Sequence, residues 1–151
     1  VFGPVDLTKY NALKIPARDV WGVLMRKDSP LALKETISPA DLWEQPLIIS
    51  QQEEKGGALT QWLKCQISDL NIAATYNLIF NASLMVDEGL GYAVCLDKII
   101  NTTGNSGLCF RPLNPGLEAE MSIIWKKYQI FSKPAEKYIA VLKKHLNADQ
   151  T

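Results

Sequence analysis

The sequence predicts an α/β fold, and three observations lead there. Short apolar runs at residues 20–25, 46–50, 72–75, 92–96, 108–112 and 121–125 have the length and composition of buried strands. Between several of them lie stretches whose apolar residues recur at helical spacing, and clusters rich in Gly, Pro, Asn and Ser separate the two kinds of segment. Buried strands alternating with helices point to a parallel sheet covered by helices.

The elements follow in order. Val20 to Met25 reads as a strand, ended by the turn-rich Lys27 to Pro30. Ser38 to Leu42 reads as a short helix, with Ser38 as its cap and Pro39 at its first position. Pro46 to Ser50 is a short buried strand and Gln51 to Gly57 a polar loop. Ala58 to about Gln66 is a helix with Leu59, Trp62 and Leu63 on one face, and Ile72 to Thr75 another strand. Leu78 to Val86 is helical through Leu78, Ile79, Ala82, Met85 and Val86, and Tyr92 to Leu96 is a strand. Asn101 to Gly107 is a polar break. Leu108 to Pro112 and Met121 to Trp125 are strands separated by the turn Asn114 to Gly116. The last helix runs from about Lys133 to Leu146, opened by Ser132 and buried through Ala135, Tyr138, Ile139 and Leu142.

The Gly89–Leu90–Gly91 stretch tests for a phosphate loop. Such loops follow a strand and open a helix, whose free N–H groups hold the phosphate. Here the order is reversed, and Gly89 sits where a helix stops, as a left-handed C-terminal cap. No nucleotide motif is assigned.

Among the 151 residues, 16 basic side chains balance 16 acidic ones, which argues against a nucleic-acid-binding surface in this stretch. No run of 18 apolar residues and no signal-like segment is present, so no membrane partner is expected. The first residue is Val rather than Met, and the chain is expected to begin inside a longer protein. Cys65, Cys95 and Cys109 are scattered, odd in number and without metal-ligand spacing, which suits buried thiols in a reducing compartment. His145, the one histidine, lies near the end of the last helix among lysines, where a cation suits the helix dipole. Asn81 and Asn101 match glycosylation sequons by chance. No nucleophile with a base, no metal triad and no cofactor loop is recognised. Asp87 and Glu88 are adjacent on a helix and point in different directions, as a solvated helix end does.

In open α/β sheets, ligands bind outside the carboxyl ends of strands. That rule selects Ser50, Gln51 and Gln52 after one strand, and Thr75, Tyr76 and Asn77 after the next. Both places join strand-end hydroxyls or amides to a helix N-terminus, a combination that favours a small anion, most often a carboxylate. The competing reading is that Ser50 and Asn77 cap their helices and Thr75 packs as a strand residue. Local sequence does not separate the two.

From about Ile15 onward the chain resembles the later part of the effector-binding region of LysR-type transcriptional regulators. The resemblance is carried by WGVLMRKDSPLA (residues 21–32), ISPADL (37–42) followed by PLIIS (46–50), the helix, glycine turn and strand of 86–96, and WKK (125–127) with FSKPA (131–135). Their order and spacing carry it rather than any single motif.

The resemblance implies a two-lobed fold like the type 2 periplasmic binding proteins, with the first lobe incomplete and a small effector in the cleft. Residues 46 to about 107 would form the second lobe, and residues 1 to about 38 with 108 to 151 would belong to the first. By position, Ser50, Gln51, Gln52, Thr75, Tyr76 and Asn77 would line the second-lobe wall, with Gly3, Pro4 and Phe110 near the lobe crossings. The helix at 78–88 and its following strand are similar to an element of the family's dimer interface. DNA binding would reside in an N-terminal winged helix-turn-helix that has no counterpart here, and the full-length protein would be a cytoplasmic dimer or tetramer. No cofactor, metal or catalytic residue is implied. An exported solute-binding protein and a small enzyme on a similar fold remain as alternatives.

Overall fold

The computed structural model describes residues 1, 5–53 and 57–148. Its strands are β1 (Tyr10–Arg26), β2 (Leu47–Ser50), β3 (Ile72–Tyr76), β4 (Tyr92–Leu96), β5 (Leu108–Pro112) and β6 (Glu118–Lys126). Its α-helices are α1 (Ala58–Leu63), α2 (Ile79–Asp87) and α3 (Lys133–Ala148), with short 3-10 turns at Pro30–Leu33, Pro39–Asp41 and Ile67–Asp69. By internal contact the chain divides into two units, Val20–Glu118 and Val1–Asp19 with Ala119–Thr151.

The unit Val20–Glu118 is built on a sheet ordered β3-β2-β4-β1-β5. The sheet is mixed, not parallel as the alternation of elements implied. β2 runs parallel to β3 and β4, but β1 lies antiparallel between β4 and β5. Periodicity reports burial, and a strand buried on both faces reads the same whichever way its neighbours run. Residues 20–38 and 108–118 group with residues 46–107, because β1 and β5 are hydrogen-bonded into this sheet.

Burial on both faces explains the continuous apolar runs. On one face Val23, Met25, Leu47, Ile49 and Val94 pack with Leu59, Trp62 and Leu63 of α1 and with Ile37 and Leu42. On the other, Leu24, Ile48, Ala93, Cys95 and Leu108 pack with Ile79, Ala82 and Val86 of α2. Successive residues of β1 thus serve opposite layers, as the two-residue strand period requires.

The helix boundaries have local causes. α1 stops at Leu63, short of the expected Gln66, because Lys64 turns into the left-handed region with φ of 56°. The segment after Ser38 is a single 3-10 turn, held by the Asp41 carboxylate, which accepts the Ser38 amide at 2.9 Å and its hydroxyl at 2.8 Å. α2 ends as expected at Gly89, with φ of 81°. The Gly89 N–H donates to the Val86 carbonyl at 2.9 Å and the Leu90 N–H to Met85 at 2.9 Å, the paired bonds of a Schellman ending. Gly91 serves a different need: a Cβ there would lie 2.3 Å from the Pro46 carbonyl oxygen, which accepts the Tyr92 N–H that starts β4.

The other unit contains the first half of β1, with β6 paired to β1, and α3. Lys14 and Glu120 join these strands at 2.6 Å on an exposed surface. Lys143 of α3 sits 5.1 Å from the Trp125 ring centroid. Ala135, Ile139, Leu142 and Leu146 are the half-buried side of α3. Tyr138, expected on that stripe, is 67% exposed, one turn-position to its side.

Candidate functional site

The carboxyl ends of the parallel strands β2, β3 and β4 lie along one edge of the sheet. Ser50 is in register with Tyr76, and Ile49 with Thr75. The Gln51 N–H donates to the Tyr76 carbonyl at 2.9 Å, extending the β2–β3 ladder one residue past the strand, and the Gln52 N–H donates to Ser50 Oγ at 3.3 Å. The two stretches selected from sequence are therefore side by side.

Strand alternation separates their side chains. Ser50 and Tyr76 follow Ile48 and Ala74 onto the α2 face, while Thr75 follows Ile49 onto the α1 face. Tyr76 is half-buried and its hydroxyl donates to the Val94 carbonyl at 2.8 Å. Burial first, then the neighbouring Cys95 and Glu53, push its phenol above the ordinary range, so it stays neutral. Thr75 and Ser50 are half-buried, and Gln51, Gln52 and Asn77 are exposed.

The two helix N-termini differ. At α1 the place expected for an anion is taken by Glu53, a buried side chain whose Oε2 accepts the Leu59 N–H at 3.1 Å. Gly57 makes room for it, since a Cβ there would come within 2.3 Å of that oxygen. The sequence places Glu53 in the polar loop Gln51 to Gly57. The signal was a carboxylate and a glycine flanking the helix start, but the cap lies too far back in sequence to match a capping box. At α2 the cap position belongs to Leu78, not to Asn77, and this residue makes no side-chain cap bond to the first turn.

Phe110 lies on β5 opposite Leu24, with its ring over Gly22, where an added Cβ would meet Cζ at 2.1 Å. It lines a hollow of about 650 Å³ with Leu24, Cys95, Leu96 and the loop Asp97–Thr103. Gly3 and Pro4 lie outside the described residues. Among the described residues no group of three or more His, Cys, Asp and Glu side chains has metal-binding geometry, and no helix is long and apolar enough to cross a membrane. His145 is exposed, its Nδ1 3.1 Å from the Val141 carbonyl, one turn back in α3. Asp87 and Glu88 are exposed, and the Asp87 carbonyl accepts Arg26 Nη1 at 3.0 Å.

No curated protein matches the chain in sequence. Solved structures do match it in fold. HinK, a LysR family transcriptional regulator from Pseudomonas aeruginosa, is 18% identical with a TM-score of 0.72, over 95% of this chain and 51% of that one. The reduced OxyR regulatory domain from Pseudomonas aeruginosa is 19% identical with a TM-score of 0.70, over 97% and 70%. The CcmR regulatory domain of Synechocystis PCC6803, solved in complex with 2-PG, is 15% identical with a TM-score of 0.74, over 97% and 71%. This chain thus spans about half the length of the HinK chain. The family model for the LysR substrate binding domain matches residues 1–147. The fold is accordingly the type 2 periplasmic-binding-protein-like one, and the chain belongs to the LysR substrate-binding domain family.

Proposed function

We propose that this domain senses a small anionic effector, most simply a carboxylate, for a cytoplasmic bacterial regulator that binds DNA through a helix-turn-helix elsewhere in the protein. The observation that carries the reading is the pairing of Ser50 with Tyr76 at adjacent strand ends, beside an α2 N-terminus whose cap residue, Leu78, offers no side-chain acceptor. With Glu53 occupying α1, the donors at the other site are the Ile79 and Phe80 N–H groups at the start of α2 and the Asn77 amide, with Ser50, Gln51 and Gln52 across the strand gap, while Thr75 faces the α1 side. Phe110, on β5 three strands from β2 in the sheet, stands apart from these donors, and the unit Val20–Glu118 corresponds to the second lobe in this reading.

No bond is made or broken in such a role, and the protein is not an enzyme in this reading. The effector shifts an equilibrium between regulator conformations by its differential affinity for them. Couplings of about 1–3 kcal/mol change DNA binding several-fold to about a hundredfold. The exposed Leu78, Phe80 and Leu84 on and beside α2 suit a contact between copies of the regulator.

The test is thermal denaturation of the full-length protein against a panel of small carboxylates, where saturation near a hundred times Kd adds about 2.7 kcal/mol. Replacing Ser50 and Asn77 together by Ala is expected to remove the shift while leaving the unliganded protein folded. A shift that survives the double substitution overturns the site, and operator binding that no stabilising carboxylate alters overturns the sensing role.

A further inference from the structure

The hollow beneath Phe110 has the makings of a ligand pocket in its own right. Its volume of about 650 Å³ falls within the range of small-molecule sites. Its floor is apolar, formed by Leu24 at 1% exposure and Cys95 at 3%, both strand residues in the middle of the sheet. One wall is the Phe110 ring, pinned over Gly22. The opposite wall is the loop after β4, which holds its own shape. Asp97 returns to β1 through its N–H on the Val20 carbonyl at 2.9 Å and its carboxylate on the Val20 N–H at 3.2 Å. Asn101 Oδ1 then accepts the Thr103 N–H at 3.0 Å and its hydroxyl at 2.8 Å.

The charges of the lining select the ligand class. Asp97 and Lys98 are the two charged lining residues, and they pair with each other at 3.4 Å. The remaining polar groups, on Asn101, Thr102 and Thr103, are neutral hydrogen-bonding groups at the rim above an apolar floor. We infer that this pocket binds an uncharged aromatic or cyclic molecule bearing one polar group, separately from the anion-binding strand ends. The ring enters between Phe110, Ile100 and Leu24, and the polar group stays at the threonine rim.

The inference is tested by photo-cross-linking the full-length protein with benzophenone, an uncharged aromatic ketone, followed by peptide mapping. Saturable labelling is expected on the peptide that carries Ile99 to Phe110. Ile100→Trp, which fills the hollow from its loop side, is expected to lower labelling about tenfold, a loss of about 1.4 kcal/mol. Leu84→Ser, on the exposed face of α2, is expected to leave it unchanged. Labelling that does not saturate, that maps to α2, or that persists in a folded Ile100→Trp protein overturns the inference. Should Ile100→Trp not fold, the map on the unsubstituted protein decides alone. Displacement of the label by a small carboxylate that stabilises the protein would merge the pocket with the effector site and overturn it as a separate one.

Discussion

The Glu53 carboxylate accepts the Leu59 N–H at 3.1 Å and sits where a Cβ on Gly57 would collide with it. The domain thus caps its first α-helix with an anion of its own. Glu53→Ala is expected to cost about 1 kcal/mol, as loss of a helix cap does. Gly57→Ala is expected to destabilise the protein alone but to cost less in the Glu53→Ala background, since the colliding group is gone. A double-mutant cycle in chemical denaturation measures this, and simple additivity would refute the geometry.

Asp41 gives the stability a defined pH dependence. Partial burial raises its pKa, but the Lys34 ammonium and the Ser38 amide and hydroxyl outweigh that and hold the carboxyl below its ordinary value of 3.8. A folded-state pKa below the unfolded one means the unfolded chain binds the proton more readily. The contribution is therefore full above about pH 4–5 and is lost as pH falls through the folded value. Asp41→Asn is expected to lower the melting temperature at pH 7 and to differ less from the unsubstituted protein as the pH drops below 4. A difference constant with pH would count against the ion pair.

Gly22→Ala is expected to destabilise by about 1–3 kcal/mol, the cost of overpacking. The added methyl meets both Phe110 Cζ at 2.1 Å and the Arg111 carbonyl oxygen at 2.5 Å. Phe110→Ala removes only the first obstacle, so rescue is expected to be partial. Full rescue, read from denaturation midpoints, would mean that the backbone gives way more easily than its place in the sheet implies.

Tyr76→Phe separates structure from recognition. Its hydroxyl is engaged with the Val94 carbonyl, so the substitution is expected to cost about 0.5–1.5 kcal/mol. The effector-induced thermal shift is expected to persist. A lost shift at unchanged stability would place the hydroxyl in the effector site instead.

Phe80→Ser with Leu84→Ser on α2 is expected to weaken self-association of the full-length protein in sedimentation, with little change in the stability of the subunit. Both residues are more than half exposed, so little intramolecular packing is lost. Unaltered association would move the contact between copies elsewhere.

What the sequence made legible follows from which forces act locally. The strands from Val20 to Pro112 announce themselves because both of their faces are buried, and Gly89 because a helix ends on it. The first half of β1 stayed hidden. Leu13 and Ile15 alternate with exposed Ala12, Lys14 and Pro16, a weak pattern whose pairing with β6 lies a hundred residues on in the sequence. Strand direction was also out of reach, since the antiparallel seat of β1 is fixed by its partners. At the candidate site the stretches were legible as strand ends. The split of Thr75 from Tyr76 was not, because it depends on which face each helix covers, and neither was the self-cap of Glu53.

The place of β1 has a consequence for how the protein is made. Its residues Trp21 to Arg26 pair with β4 at Ala93–Leu96 on one side and with β5 at Leu108–Pro112 on the other. This central strand is therefore flanked on both sides only after β5, more than eighty residues later, has been synthesised. Until β5 is made, Val23, Leu24 and Met25 lack a strand on that side, and the nascent chain presents an apolar edge of the kind that chaperones bind and that aggregates by pairing. Such long-range closure folds slowly. Yield on expression will depend more on how long that edge waits than on how stable the finished sheet is.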